Sequence, residues 1–585
     1  MGSRKAAREA LTGGHAGRVL SRESGRKSER RRCSNVRKAT PANAKCEHPS
    51  GSARSKTPGM HGNFTRENRE VPSTPDTQSC AGRLEKDMIQ KSNMHVDGKS
   101  DGRAVPTKCP NKSGNPLAEG AEGRRPAKEN TEQTTASQTQ SWGNALSGLR
   151  GVREAAKRDK RLQFTALLHH VSVVLLESSF YALKRDAAPG VDGVTWTEYE
   201  AGLGERLKDL HSRVHRGTYR AQPSKRAYIP KADGRKRPLG IAALEDKIVQ
   251  HAVVTVLNQI YEEDFLGFSY GFRPGRRQHD ALDALWVGIM RRKVNWILDA
   301  DIRSFFDEIR HDWLLKFVKH RIADRRILRL IGKWLRAGVS EEGQWSKTER
   351  GTPQGSVASP LLANVYLHYA FDLWVQHWRQ HRATGEVIVV RYADDAVLGF
   401  QHRADAEQFL RDWKERLGRF GLELHPDKTR LIEFGRYAVA NRKERGEGKP
   451  ETFNFLGFTH ICGQTWKSGK FLVLRKTIHQ RLSAKLRALK EELRRRKHLS
   501  VAELGKWLRS VVQGYFNYHA VPGNLASLRS FRLQVIRRWM RALRRRSQKS
   551  RMTWPRLVAI ADRWLPKPSI LHPYPNLRFD AKHPR

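Results

Sequence analysis

Val387-Ile388-Val389-Val390-Arg391-Tyr392-Ala393-Asp394-Asp395-Ala396-Val397-Leu398-Gly399-Phe400 sets two carboxylates between two apolar runs. Both runs are rich in β-branched residues and long enough for a short strand. The stretch therefore predicts a hairpin with Asp394 and Asp395 at its tip. Adjacent carboxylates repel, and holding them near a core is costly unless a cation neutralises them. Hard oxygen donors of this kind suit Mg²⁺. Taken alone, the pair is equally readable as a solvated Asp-Asp turn.

A second acidic segment shifts that balance. Trp296-Ile297-Leu298-Asp299-Ala300-Asp301-Ile302-Arg303-Ser304-Phe305-Phe306-Asp307-Glu308-Ile309 also begins as an apolar strand and ends in acids. A two-metal phosphoryl-transfer site needs carboxylates from separate strands to hold two ions roughly 3.5–4 Å apart. Asp301 on one strand and Asp394 on the hairpin are the expected pair. Strand alternation puts Asp299 on the same face as Asp301, so Asp299 stays a weaker candidate. Asp307 falls where a helix can begin and reads better as an N-cap.

The chain has 585 residues, enough for several domains, and a formal net charge of +50. An excess of that size implies a polyanionic partner, nucleic acid above all. A membrane surface is disfavoured, because no run reaches the roughly 18–20 uncharged residues of a spanning helix. The most apolar stretch, Phe164 to Leu183, contains His169, His170 and Glu177 and reads as a buried amphipathic helix. The opening Gly2-Ser3-Arg4-Lys5 provides no signal-peptide core. The five cysteines form no paired CxxC knuckle, which points to a reducing cytoplasm. Residues 1–145 are polar, basic and aperiodic, and are expected to form a disordered tail. A translation start downstream of them is an equal alternative.

The acidic segments, with the blocks around them, resemble a reverse transcriptase palm, and more narrowly the group II intron reverse transcriptase/maturases. The blocks run in the family's order. Lys184-Arg185-Asp186-Ala187-Ala188-Pro189-Gly190-Val191-Asp192-Gly193 comes first, then Ile229-Pro230-Lys231, Arg237-Pro238-Leu239-Gly240-Ile241 and Ser269-Tyr270-Gly271-Phe272-Arg273-Pro274. Gly351-Thr352-Pro353-Gln354-Gly355-Ser356 and Ser359-Pro360-Leu361-Leu362-Ala363-Asn364 follow the first acidic strand. Leu424-His425-Pro426-Asp427-Lys428-Thr429, Phe455-Leu456-Gly457-Phe458 and Gly514-Tyr515-Phe516-Asn517-Tyr518 follow the hairpin. The resemblance covers roughly residues 160–545.

It implies an α+β right-hand polymerase: fingers and an antiparallel palm sheet, then a helical thumb, or domain X. The expected divisions are the tail 1–145, an N-terminal extension of the fingers 146–210, and fingers and palm 211–458. The thumb follows over 459–545, and 546–585 is a basic segment without clear periodicity that is a candidate for DNA binding. The cysteine count implies that the family's zinc-bearing endonuclease domain is absent.

By the same resemblance, Asp301, Asp394, Asp395 and the Ile302 carbonyl serve two Mg²⁺ ions. Lys231 and Arg237 clamp the dNTP triphosphate, the first as a point charge and the second as a fork. Phe306, five positions after Asp301, excludes the ribose 2′-hydroxyl, although core packing is its alternative reading. Gln354 lies against the nascent base pair. The candidate nucleic-acid contacts are Arg273, Lys428, Lys485, Arg487, Tyr515 and Tyr518. The expected partners are the host intron RNA, an RNA template and a DNA primer or target, in the bacterial cytoplasm at the nucleoid. Oligomeric state stays open, a dimer included. Two alternatives stand beside this reading: a splicing cofactor with an idle polymerase site, and a reverse transcriptase of retron or defence lineage.

Overall fold

A computed structural model describes residues 136–230, 236–547 and 550–583, with side chains described from residue 147 onward. Its organising element is a four-stranded antiparallel sheet of β3 (Trp296–Asp301), β6 (Val387–Tyr392), β7 (Asp395–Phe400) and β8 (Arg430–Glu433), in the order β6-β7-β3-β8. Both faces of this sheet are covered. Leu298, Ala300, Ala396, Leu398 and Phe400 enter one core. Ile297, Val390, Val397 and Ile432 enter another, on the opposite face. Alternate side chains thus pack into different cores, which is why these strands read as continuous apolar runs.

The expected hairpin forms with a two-residue connection. Tyr392 pairs with Asp395, so Ala393 and Asp394 make the turn. Asp394 sits in the turn, whereas Asp395 already belongs to β7 and pairs with Asp301 across β3. Ala393 has φ +57°, where a hairpin turn would ordinarily use glycine.

A second four-stranded sheet holds β1 (Ser224–Pro230), β2 (Lys236–Ile241), β4 (Val339–Glu341) and β5 (Gln344–Ser346), in the order β2-β1-β4-β5. A third sheet holds β9 (Phe453–Phe455), β10 (Phe458–Gln464) and β11 (Phe471–Thr477). Its Leu456-Gly457 turn has positive φ at both residues, the geometry that closes a tight hairpin.

The C-terminal helices His479–Arg495, Val501–His519, Leu525–Arg544 and Trp554–Trp564 share their own core, with Leu486, Leu508, Phe516, Phe531, Trp539 and Leu557 among its buried members. The Tyr518 hydroxyl donates to the Leu456 carbonyl at 2.8 Å and ties this bundle to the β9–β10 turn.

Three local expectations need correction. Phe164 to Leu183 is not one helix: a short 3₁₀ turn at Leu168–His170 precedes a helix at Val173–Ala182. Ser172 divides them, because its side chain accepts the Leu175 N–H as an N-cap. A helix spans Ala136–Arg158 and so begins inside the segment expected to be unordered. The region after 546 is also structured, with helices at Trp554–Trp564 and Pro575–Lys582. The last helix docks on the helix Gln278–Arg291 by charge. Arg291 meets Asp580 at 2.7 Å, Lys582 meets Asp280 at 2.7 Å, and Arg578 pairs with buried Asp283. These contacts join residues about 300 apart, which no local period reveals.

Candidate active site

Three carboxylates converge at one end of the central sheet. Asp301 ends β3, Asp395 opens β7 directly opposite, and Asp394 occupies the adjoining turn. Burial raises the Asp394 carboxyl above its usual range, with the Asp301 charge adding to the effect and Arg237 and Lys428 opposing it. Asp395 is pushed up to about 7, first by lost hydration and then by Asp394, Asp301 and Asp299. Its side chain still reaches solvent. The upward shifts record like charges held together at the edge of a protein interior.

Asp299, two residues before the strand end, has a cross-strand partner: Arg430 lies 3.6 Å away. Burial nevertheless raises its carboxyl to about 6. Asp307 is not the N-cap. Ser304, with φ +44°, precedes the short helix Phe305–Glu308, and Asp307 falls inside its first turn.

The Asp301 strand end is continued by a bridge between Ile302 and Leu424. His425 N–H donates to the Asp301 carbonyl and Arg303 N–H to the Glu423 carbonyl, both at 2.8 Å. The bridge uses the carbonyls of Asp301 and Glu423 and not that of Ile302. It also brings in Lys428, whose ammonium forms an ion pair with the Asp301 carboxylate. Lys428, expected to contact nucleic acid, thus holds a catalytic-candidate acid.

Among the described residues, no three His, Cys, Asp or Glu side chains are gathered closely enough to hold a metal ion. The donor chemistry nonetheless fits a hard cation: carboxylate oxygens, mutually repelling, with one already neutralised by an ammonium group.

What holds the turn in place is a buried hub that the sequence reading missed. Arg391 and Asp372 are 1% and 0% exposed and form a two-pronged ion pair at 2.7 and 2.6 Å. Arg391 also donates to Asn364 Oδ1 (3.1 Å), the Ser269 hydroxyl (2.6 Å) and the Ala393 carbonyl (2.9 Å). Asn364 Nδ2 in turn donates to the Gly271 carbonyl at 2.7 Å. Four separate segments thus converge on the back of the Asp394 turn. Asp372 ends a π-helical turn, His368–Asp372, interposed between the helices Ser359–Leu367 and Leu373–His381. The available signal was an arginine inside an otherwise apolar strand, since a buried guanidinium requires a partner.

The Gly351–Ser356 loop is fixed from two sides. Thr352 N–H donates to the Phe306 carbonyl and Gly240 N–H to the Gln354 carbonyl, both at 2.7 Å. Gln250 Oε1 accepts from the Ser356 hydroxyl at 2.8 Å and from the Val357 N–H at 3.0 Å. Gly355 has φ +109°, and a Cβ there would lie 2.9 Å from the Gly240 carbonyl oxygen. Gln354 is half-buried beside β2.

Phe305 is a core residue, whereas Phe306 is only partly buried. That separates the two adjacent phenylalanines, which pattern alone did not. Arg237 is exposed in β2, opposite Ile229. Lys231 lies outside the described residues.

Three expected nucleic-acid contacts are engaged within the fold. Arg273 is internal: its fork meets Glu262 at 3.0 Å and the carbonyls of Leu266 and Ser269 at 2.9 and 2.8 Å. Tyr515 is buried in the C-terminal core, stacked on Phe531 at 3.7 Å. Tyr518 packs on Phe458 and is hydrogen-bonded to the β9–β10 turn. Lys485 and Arg487 lie exposed on the helix His479–Arg495, where lost hydration lowers the Lys485 pKa. Arg481 of the same helix lowers the Asp395 pKa, so this helix presents a positive charge to the acids.

Residues 229–460 match the family model described as reverse transcriptase (RNA-dependent DNA polymerase). The chain is 34% identical over 298 residues to Protein YkfC of Escherichia coli K12, an overlap that covers 44% of this chain and 78% of that protein. It is 42% identical over 168 residues to the group II intron-encoded protein LtrA of Lactococcus lactis subsp. cremoris, covering 28% of this chain and 27% of LtrA. An uncharacterised 91 kDa protein in the cob intron of Schizosaccharomyces pombe is 44% identical over 146 residues, 25% of this chain and 18% of that protein. The matched part is thus most of YkfC but only about a quarter of LtrA.

Proposed function

The chain belongs to the group II intron-encoded reverse transcriptases, and from that premise we propose that it copies RNA into DNA and binds its host intron RNA to aid splicing. The observation that carries the polymerase reading is the meeting of Asp301, Asp395 and Asp394 at one sheet end. Asp301 and Asp394, with Asp395 and the Ile302 carbonyl, are the groups that would hold two Mg²⁺ ions. Such ions would lower the pKa of a primer 3′-hydroxyl and offset charge at the reacting phosphate.

The chain's own residues supply position. Arg391 holds the Ala393 carbonyl and thereby the Asp394 turn. Lys428 neutralises Asp301. Arg237, with Lys231, binds the incoming triphosphate. Its electrostatic effect on Asp394 supports that role. Phe306 is the sugar gate, in keeping with its partial exposure beside the buried Phe305. Gln354 lines the nascent base pair.

The formal charge of +50 supports a long polyanionic partner, here intron RNA together with an RNA template and a DNA primer. Exposed Lys485 and Arg487 are its proposed thumb contacts. Among the described residues no helix is long and apolar enough to cross a membrane. The proposed place of action is the bacterial cytoplasm, at the nucleoid.

The test is RNA-templated primer extension in Mg²⁺ with dNTPs or rNTPs, run beside a splicing assay on a group II intron RNA. DNA synthesis together with stimulated splicing supports both halves. Splicing without synthesis leaves only an RNA-binding cofactor, and synthesis without splicing removes the maturase half.

A further inference from the structure

We propose that Phe272 is a positioning residue that sets sugar selectivity by fixing the place of Phe306. The inference rests on the reading of Phe306 as the sugar gate.

Phe272 combines three features that do not ordinarily occur together. Its backbone is left-handed, with φ +59°. Its side chain is large, apolar and 50% exposed. Its ring meets the Phe306 ring edge-on, with centroids 6.3 Å apart. A left-handed position is cheap for Gly or Asn and unfavourable for a bulky residue. An exposed phenylalanine also gains little from burial. Neither backbone preference nor core packing accounts for this side chain, and strained residues of this kind cluster where function over-determines the structure.

The neighbours explain why the backbone stays there. Tyr270 N–H donates to the Arg391 carbonyl at 2.9 Å, which pairs this segment with the edge of β6. Gly271 presses on the Asp394 turn so closely that a Cβ would lie 2.3 Å from the Ala393 nitrogen. Its carbonyl is held by Asn364. On the other flank, Arg273 is locked to Glu262, Leu266 and Ser269. With residues 270, 271 and 273 fixed, the chain must turn at Phe272 and project its ring from the surface. Phe306 then meets two rings, Phe272 at 6.3 Å and buried Phe305 at 5.4 Å.

The contact series Ala393–Gly271–Phe272–Phe306 therefore spans from the carboxylate turn to the gate. It fixes the gate ring relative to the acids that would act on the same nucleotide. A ring free to swing would still fill space but would discriminate a single hydroxyl less well.

The test measures kcat/KM for dNTP and rNTP incorporation on an RNA template, with urea unfolding on the same proteins. Phe272→Asn removes the ring and suits the left-handed backbone. Its unfolding midpoint should equal or exceed that of the unaltered protein, while dNTP-over-rNTP selectivity falls about three- to tenfold, the equivalent of one aromatic pair. The loss should appear mainly as a lower KM for rNTP. Phe272→Tyr should retain selectivity, and Phe272→Asn added to Phe306→Ala should relax it no further than Phe306→Ala does alone. Unchanged selectivity in Phe272→Asn, with Phe306→Ala relaxed, overturns the positioning role and leaves the gate standing. Unchanged selectivity in Phe306→Ala overturns the gate and with it this inference. Equal loss of both activities alongside a lower unfolding midpoint also overturns it, since that marks a purely structural residue.

Discussion

Arg391→Met removes the centre of the hub behind the Asp394 turn while keeping most of the side-chain volume. The arginine makes five hydrogen bonds: two to Asp372 and one each to Asn364, Ser269 and the Ala393 carbonyl. Its loss leaves the Asp372 carboxylate buried at 0% exposure with no counter-charge. Breaking one side of a buried pair costs about 3–5 kcal/mol. With a urea slope of about 3 kcal/mol per molar, the unfolding midpoint should fall by about 1 M or more. Replacing the pair as a unit is different, because an apolar pair of similar volume is often neutral. Arg391→Met with Asp372→Leu should therefore recover most of the lost stability. It should not recover primer extension, since the Ala393 carbonyl still lacks its donor. The two readouts separate packing from positioning. A single variant within about 1 kcal/mol of the unaltered protein would refute the claim that this charge is committed to Asp372. So would a double variant as unstable as the single.

Three further outcomes follow from the site and its supports. With Mg²⁺ withheld, Asp395→Asn should stabilise the protein at pH 8 and make little difference at pH 4. The Asp395 carboxyl is raised to about 7, so the native state loses stability as pH climbs from the ordinary value of 3.8 through 7. Because the group reaches solvent, the expected gain is only about 1 kcal/mol, read by thermal unfolding at the two pH values. Lys428→Met should lower the Mg²⁺ concentration needed for half-maximal extension, since the ammonium that pairs with Asp301 is gone. An unchanged Mg²⁺ requirement with a shallower salt dependence of RNA binding would instead return Lys428 to the phosphate contacts. Arg578→Ala should loosen the last helix and expose its chain to limited proteolysis while leaving Asp283 paired with Arg475 at 3.0 Å. Unchanged proteolysis would show that docking does not depend on this charge.

Much of the site was legible because it is written in short-range patterns. The two acidic strand ends, their apolar neighbours and the tight turn are local, and strand alternation carries the rest. The difference in burial between Phe305 and Phe306 was not legible, since either ring suits a core. Phe306 meets Phe272 and the Thr352 loop, more than thirty residues away in each direction. Arg273 was misread for the same reason. A lone arginine in a turn-rich block looks like a phosphate ligand, and only its buried carboxylate and carbonyl partners give it a structural task. The helices after residue 553 escaped because Pro, Trp and His obscure the period, although Leu557, Ala561 and Leu565 do line one buried face. The buried Arg391–Asp372 pair joins residues 19 apart that belong to different elements, and no single-sequence rule assigns such a partner.

The central claim is that Asp394, held in its turn by Arg391, belongs to a polymerase site that copies RNA into DNA. The most direct measurement is Mg²⁺-dependent primer extension with dNTPs on an RNA template, comparing the unaltered chain with Asp394→Ala and recording RNA affinity on both. Extension should fall by about a thousandfold or more while RNA affinity stays near that of the unaltered chain. An Asp394→Ala protein that still extends the primer at a comparable rate would contradict that claim.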